Sequence, residues 1–177
     1  MSSRLVALGV LVVLSVSACG QGAAGQAPAP SVETVRSGAS VVGTVPPAVL
    51  DPCALLDPQD RSTAGITVLG VAKEINGARA CDWTVPATFG VTITVDERNG
   101  LKDLEVARKT ATKTKVGGRD ALKVADKKAA DGTCAVLLGM GEKASVQIDV
   151  SNTNFTDTPL ACERAVKVAG LAEPKLP

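Results

Sequence analysis

Gly90-Val91-Thr92-Ile93-Thr94-Val95 alternates without interruption, with Val91, Ile93 and Val95 at every second position. A period of two is that of a β-strand with one face buried and the other wet. Upstream, Asn76-Gly77 is a two-residue hairpin signal. It joins a loosely alternating strand over Ile66–Val71 to a strand through Cys81-Asp82-Trp83-Thr84-Val85. Earlier still, Asp51-Pro52 and Asp57-Pro58 each offer an Asp N-cap followed by Pro at the first helical position, and Gly65 closes the second helix.

Downstream, Asn99-Gly100 ends the strand, and Leu101, Leu104, Ala107 and Ala111 fall at helical spacing, which predicts a helix over Leu101–Ala111. Gly117-Gly118 breaks the chain, and strands are predicted over Arg119–Val124, Thr133–Leu138 and Ala144–Ser151. Thr158-Pro159 opens a last helix with Ala161, Cys162, Ala165, Val166 and Ala169 on one face. The pattern predicts an α+β fold: one domain with a largely antiparallel sheet of about five to six strands, helices on one or both faces, and two disulfides. No internal repeat is evident.

The 177 residues are 45% hydrophobic, but the only aromatics are Trp83, Phe89 and Phe155, so the core is expected to be aliphatic. Lys and Arg total 19 against 18 Asp and Glu, which argues against nucleic acid as a partner. The chain has no His, which removes the commonest general base and a leading metal ligand.

Residues 1–18 read as a signal peptide: a cation at Arg4, an apolar run Leu5–Leu14, then small residues. That run is about half of the ~20 residues needed to span a bilayer. Val16-Ser17-Ala18-Cys19-Gly20 resembles a bacterial lipobox. The resemblance implies diacylglyceryl attachment at Cys19, cleavage before it, and an extracytoplasmic chain anchored to the cell membrane. Residues 19–48 are rich in Gly, Ala and Pro and are expected to form a disordered spacer. Residues 49–177 are expected to fold.

Cys53, Cys81, Cys134 and Cys162 remain, an even number in an exported chain, and so imply two disulfides. Three pairings are open. Cys53–Cys81 with Cys134–Cys162 is favoured, because each bridge then ties a terminal helix to a strand across a loop of similar length. The wide spacing and the lack of CxxC argue against metal binding or redox chemistry.

Other motifs lead to turns. Gly139-Met140-Gly141-Glu142-Lys143-Ala144 fits GxGxxA, but a strand follows it where the dinucleotide fingerprint needs a helix. Serine catalysis finds neither GxSxG nor SxxK. Asp149, Asn152, Asn154 and Asp157 could gather around Ca²⁺, yet the EF-hand Gly and Glu are missing and turn chemistry accounts for them. Lys102–Lys128 holds nine basic residues against four acidic ones, which reads as a solvated surface. No cofactor and no catalytic residue is assigned.

Asp51-Pro52-Cys53-Ala54-Leu55-Leu56, Cys81-Asp82-Trp83, Cys134 on a strand and Cys162 in a C-terminal helix together resemble the actinobacterial lipoproteins grouped as domain of unknown function 3558. The resemblance implies a cell-envelope lipoprotein with a small disulfide-bonded domain, and it supplies no catalytic residues. The expected role is a monomeric, non-enzymatic module binding an envelope protein or an apolar or wall ligand, with Trp83 a candidate pocket wall. The alternatives are a carrier of lipid or another small apolar ligand, which needs an apolar cavity between sheet and helices, and a carboxylate-dependent wall hydrolase, which needs two acids in one cleft.

Overall fold

The computed structural model describes residues 49–106 and 109–177. The expected leader, Cys19 and the spacer lie outside the described residues.

A 3-10 turn Pro52–Leu55 and helix α1 (Pro58–Ala64) lead into strands β1 (Val71–Ile75), β2 (Ala78–Val85) and β3 (Phe89–Asp96). Strands β4 (Ala111–Val116), β5 (Arg119–Val124), β6 (Thr133–Gly139) and β7 (Ser145–Asn152) follow, then helix α2 (Thr158–Ala172) and a 3-10 turn Glu173–Lys175. All seven strands form one antiparallel sheet in the order β1-β2-β3-β7-β6-β5-β4. Two meanders therefore meet where β3 pairs with β7, bringing Val91 beside Val150 and Ile93 beside Ile148.

Asp57 starts α1 with a reciprocal capping box: it accepts from the Asp60 amide at 2.9 Å, and the Asp60 carboxylate accepts from the Asp57 amide at 3.3 Å. Gly65 ends the helix in the left-handed region at φ 76°. Asp157 caps α2 by accepting from the Leu160 amide, with Pro159 in the first turn.

The register places Cys81, Trp83, Val91, Ile93, Val136, Leu138, Val146, Ile148 and Val150 on one side of the sheet, all at 2% exposure or less. Both α2 and the N-terminal 3-10 turn pack toward this core. The side chains that α2 buries are small (Ala161, Ala165, Ala169 and Ala172, with Val168), so its backbone can approach the strands closely. Cys53 is bonded to Cys81 and Cys134 to Cys162, with Cα atoms 5.1 and 4.9 Å apart and a sequence separation of 28 in each case. Each bridge fastens a helical element to a strand lying one place outside the central β3–β7 pair.

Four expectations need correction. The sheet has seven strands, because the Thr-Lys alternation Ala111–Val116 pairs with β5 as an edge strand. The first strand begins at Val71, and Ile66 sits buried ahead of it. Between them the chain is drawn onto the core at Gly70, where a Cβ would lie 2.5 Å from Cys81 Sγ and 2.8 Å from the Trp83 indole. The predicted Leu101–Ala111 helix does not form. Only Leu101 and Leu104 bring apolar bulk to that pattern, Ala111 belongs to β4, and Ala107 lies outside the described residues. On α2, Val166 is 43% exposed and the inward positions are taken by Val168 and Ala172.

Candidate functional site

Each strand that buries one set of side chains presents the other set to the opposite face, where no helix packs among the described residues. Across the middle strands, Asp82 on β2 lies opposite Thr92 on β3, Thr92 opposite Asp149 on β7, and Asp149 opposite Ala135 on β6. Thr84, Gly90, Ser151 and Thr133 form the next row.

The β3–β4 connection rises from Asp96 and walls one side of this face. Its Leu101 packs over Gly139, and Gly100 lies so close to the Glu142 backbone that a Cβ would sit 2.0 Å from its carbonyl. Glu105, Val106 and Thr110 from the same connection face a groove of about 870 Å³, which the Asp126–Asp131 turn and Phe155 close at other points. The volume falls in the range of small-molecule sites, and the lining mixes polar side chains with apolar ones such as Val106, Val124 and Leu137. Five carboxylates line it (Asp82, Glu105, Asp126, Asp131 and Asp149), and no Lys or Arg does among the described residues.

Two of these acids sit in one row but in different surroundings. Burial pushes the Asp149 carboxyl above its ordinary value, partly offset by Gln147 Nε2, which donates at 2.9 Å. Burial also raises Asp82, but Thr92 Oγ1 donating at 2.6 Å, Lys73 Nζ at 2.9 Å and Thr84 outweigh it, and Asp82 ends below the ordinary value. Their backbones are two strand spacings apart, about 10 Å.

Trp83 lies at 0% exposure beneath Gly70 and beside the Cys53–Cys81 bridge, and it lines neither this groove nor the smaller one near Arg164. The layer between sheet and helices is filled by Trp83, Leu55, Leu56 and the aliphatic strand residues. The Asp149–Asp157 oxygen-rich stretch divides. Asp149 faces the groove, while Asn152 is buried and donates to the carbonyls of Thr156 and Asp157 at 2.8 and 2.9 Å, so its amide builds the turn before α2. The basic segment runs from the β3–β4 connection, which carries Lys102 and Lys109, over the β4–β5 hairpin and the turn after it, with Lys115 paired to Asp120 at 2.9 Å.

The groove was not read from the sequence. Its floor depends on β3 pairing with β7, more than fifty positions away, and Asp82 and Asp149 carry no local motif. The one available signal was the polar half of each alternating strand.

This is a single twisted sheet closed on one side by helices and two disulfides and left open on the other. Residues 14–175 match the family described as Protein of unknown function (DUF3558), and the chain belongs to it. No curated protein and no solved structure matches it.

Proposed function

We propose that the chain is an extracytoplasmic lipoprotein, anchored to the cell membrane through lipid on Cys19, and that its domain is a monomeric, non-enzymatic binding module using the open sheet face. The observation that carries the reading is the carboxylate-lined groove of about 870 Å³ over β2, β3, β7 and β6. The groove is walled by the β3–β4 connection and floored by hydroxyl, amide and carboxyl groups. Two oxidised cysteine pairs suit an extracytoplasmic address.

The test has two arms in native cells. Cys19→Ser moves the protein from the membrane to the soluble fraction if the lipid is the anchor. Ser151→Arg, which fills the groove floor, abolishes retention of the detergent-extracted protein on purified envelope sacculi. Retention unchanged by Ser151→Arg would remove the groove from the account.

A second reading has its own observation. Asp149 and Asp82 share one row with their carboxyls displaced in opposite directions, the arrangement that separates an acid from a base. In a wall hydrolase Asp149 would donate the proton and Asp82 would activate water. Such an enzyme loses turnover with either Asp149→Asn or Asp82→Asn. Turnover surviving both changes rejects it.

A further inference from the structure

We infer that the groove takes a pyranose chain and that Phe155 is its stacking platform, an inference that rests on the open face being the binding surface. Of the three aromatic side chains, Trp83 is 0% and Phe89 4% exposed, whereas Phe155 is 67% exposed at the rim of the groove. A phenyl ring left in water forgoes the burial that the other two obtain.

Its position is built. Phe155 has φ +50°, a region that bulky residues rarely adopt. The loop is held there from three directions. The Phe155 amide donates to the Asn152 carbonyl at 3.0 Å, and the buried Asn152 amide ties down Thr156 and Asp157. Gly132 packs directly beneath, where a Cβ would lie 2.4 Å from the Thr156 carbonyl oxygen and 2.8 Å from the Phe155 carbonyl carbon. The backbone that carries the ring is therefore set before binding, which lowers the ordering cost.

The chemistry of the floor selects the ligand. Thr92 and Thr133 already donate to Asp82 and Asp131, and Gln147 Nε2 to Asp149, so the floor offers a ligand chiefly carboxylates and hydroxyl lone pairs that accept, with the Ser151 hydroxyl beside them. An alkyl chain would take these acceptors out of water without supplying a donor. A phosphate polymer would face five carboxylates with no cation among the described lining residues. A peptide adding as a strand needs a free sheet edge, and the groove lies over the middle of the sheet. A pyranose ring carries hydroxyls around its equator, matching the floor, and an apolar C–H face that lies against an aromatic ring.

The mature chain carrying Cys19→Ser, with both disulfides intact, is titrated with cellotetraose and chitotetraose and followed by amide NMR and calorimetry. The expected result is saturable binding to at least one of them, with shifts at Phe155, Thr133 and Ser151. Phe155→Ala then weakens binding roughly three- to tenfold, and Phe155→Trp restores it. Because Phe155 is exposed, both variants keep the wild-type melting curve, which checks folding. No binding to either saccharide, with wall-derived peptides instead shifting Ser151 and Thr133, overturns the saccharide inference and leaves the groove standing. Saccharide binding that Phe155→Ala does not weaken overturns the platform. Silence toward saccharides and peptides together, with Ser151→Arg also without effect on sacculi, overturns the inference and the proposed function alike.

Discussion

In the central strands Val91, Ile93, Ile148 and Val136 lie side by side at 0–1% exposure, and one residue along from them stand Thr92, Asp149 and Ala135 on the opposite face. The same backbone hydrogen bonds serve both surfaces. What separates them is what the rest of the chain lays on top: α2, the N-terminal 3-10 turn and two disulfides on one side, and on the other a connection that crosses at the Leu101–Gly139 end and leaves the middle open. Stability is concentrated on the first face and chemical variety on the second. A pair of faces divided this way localises the search for function.

Substitutions can break that division. Trp83→Ala carries the largest expected effect: it empties the inner layer and costs about 3–5 kcal/mol in denaturant unfolding. A cost below about 1 kcal/mol would mean that the inner face is not the packed one. Next comes removal of the Cys134–Cys162 bridge by paired Ala substitution. By the loop-entropy relation for its separation of 28 residues, this lowers stability by roughly 3.6 kcal/mol. Thermal melts of the two single-bridge variants should show losses of similar size, because the other bridge closes a loop of the same length. Asp57→Ala removes one half of the α1 capping box and lowers the melting temperature by less than loss of either bridge.

The open face gives the smallest effects, and there the sign is informative. The Asp149 carboxyl is raised in the folded state, so its ionised form opposes folding once the pH exceeds the folded value, and that opposition fades below the unfolded value of 3.8. Asp149→Asn therefore stabilises at pH 7 and converges with wild type in acid. Asp82 is lowered, so it contributes stability above its unfolded value that is lost as the pH falls through its folded value. Asp82→Asn destabilises at pH 7. Urea unfolding between pH 3 and pH 7 separates the two, and shifts of the same sign would contradict the electrostatic picture of the row.

Legibility followed the range of the interactions. Asn76-Gly77, the Asp-Pro helix starts, Gly65 and the alternations in β3 and β7 act locally, and they could be read one segment at a time. An even count of four cysteines in an exported chain makes two disulfides legible and leaves three pairings open; the structure carries the favoured pairs. β1 was displaced because Val71–Ile75 is an exposed edge strand and hence shows no burial period. β4 was hidden because its Thr-Lys alternation has almost no apolar member and adjoins residues with a weak helical pattern. The groove could not be read, since it exists only once two distant meanders are joined edge to edge. Phe155 stands between Asn154 and Thr156, and nothing in these neighbours distinguishes an exposed phenyl from a buried one.

The most direct test of the open face as the working surface compares two photo-crosslinking amino acids in the native envelope. One replaces Thr133 on the groove floor, and the other replaces Lys167 on the exposed side of α2. A discrete adduct is expected from position 133, lost when Ser151→Arg is added, and none from position 167. An adduct from position 167 with none from position 133 would place the working surface on the helical side instead.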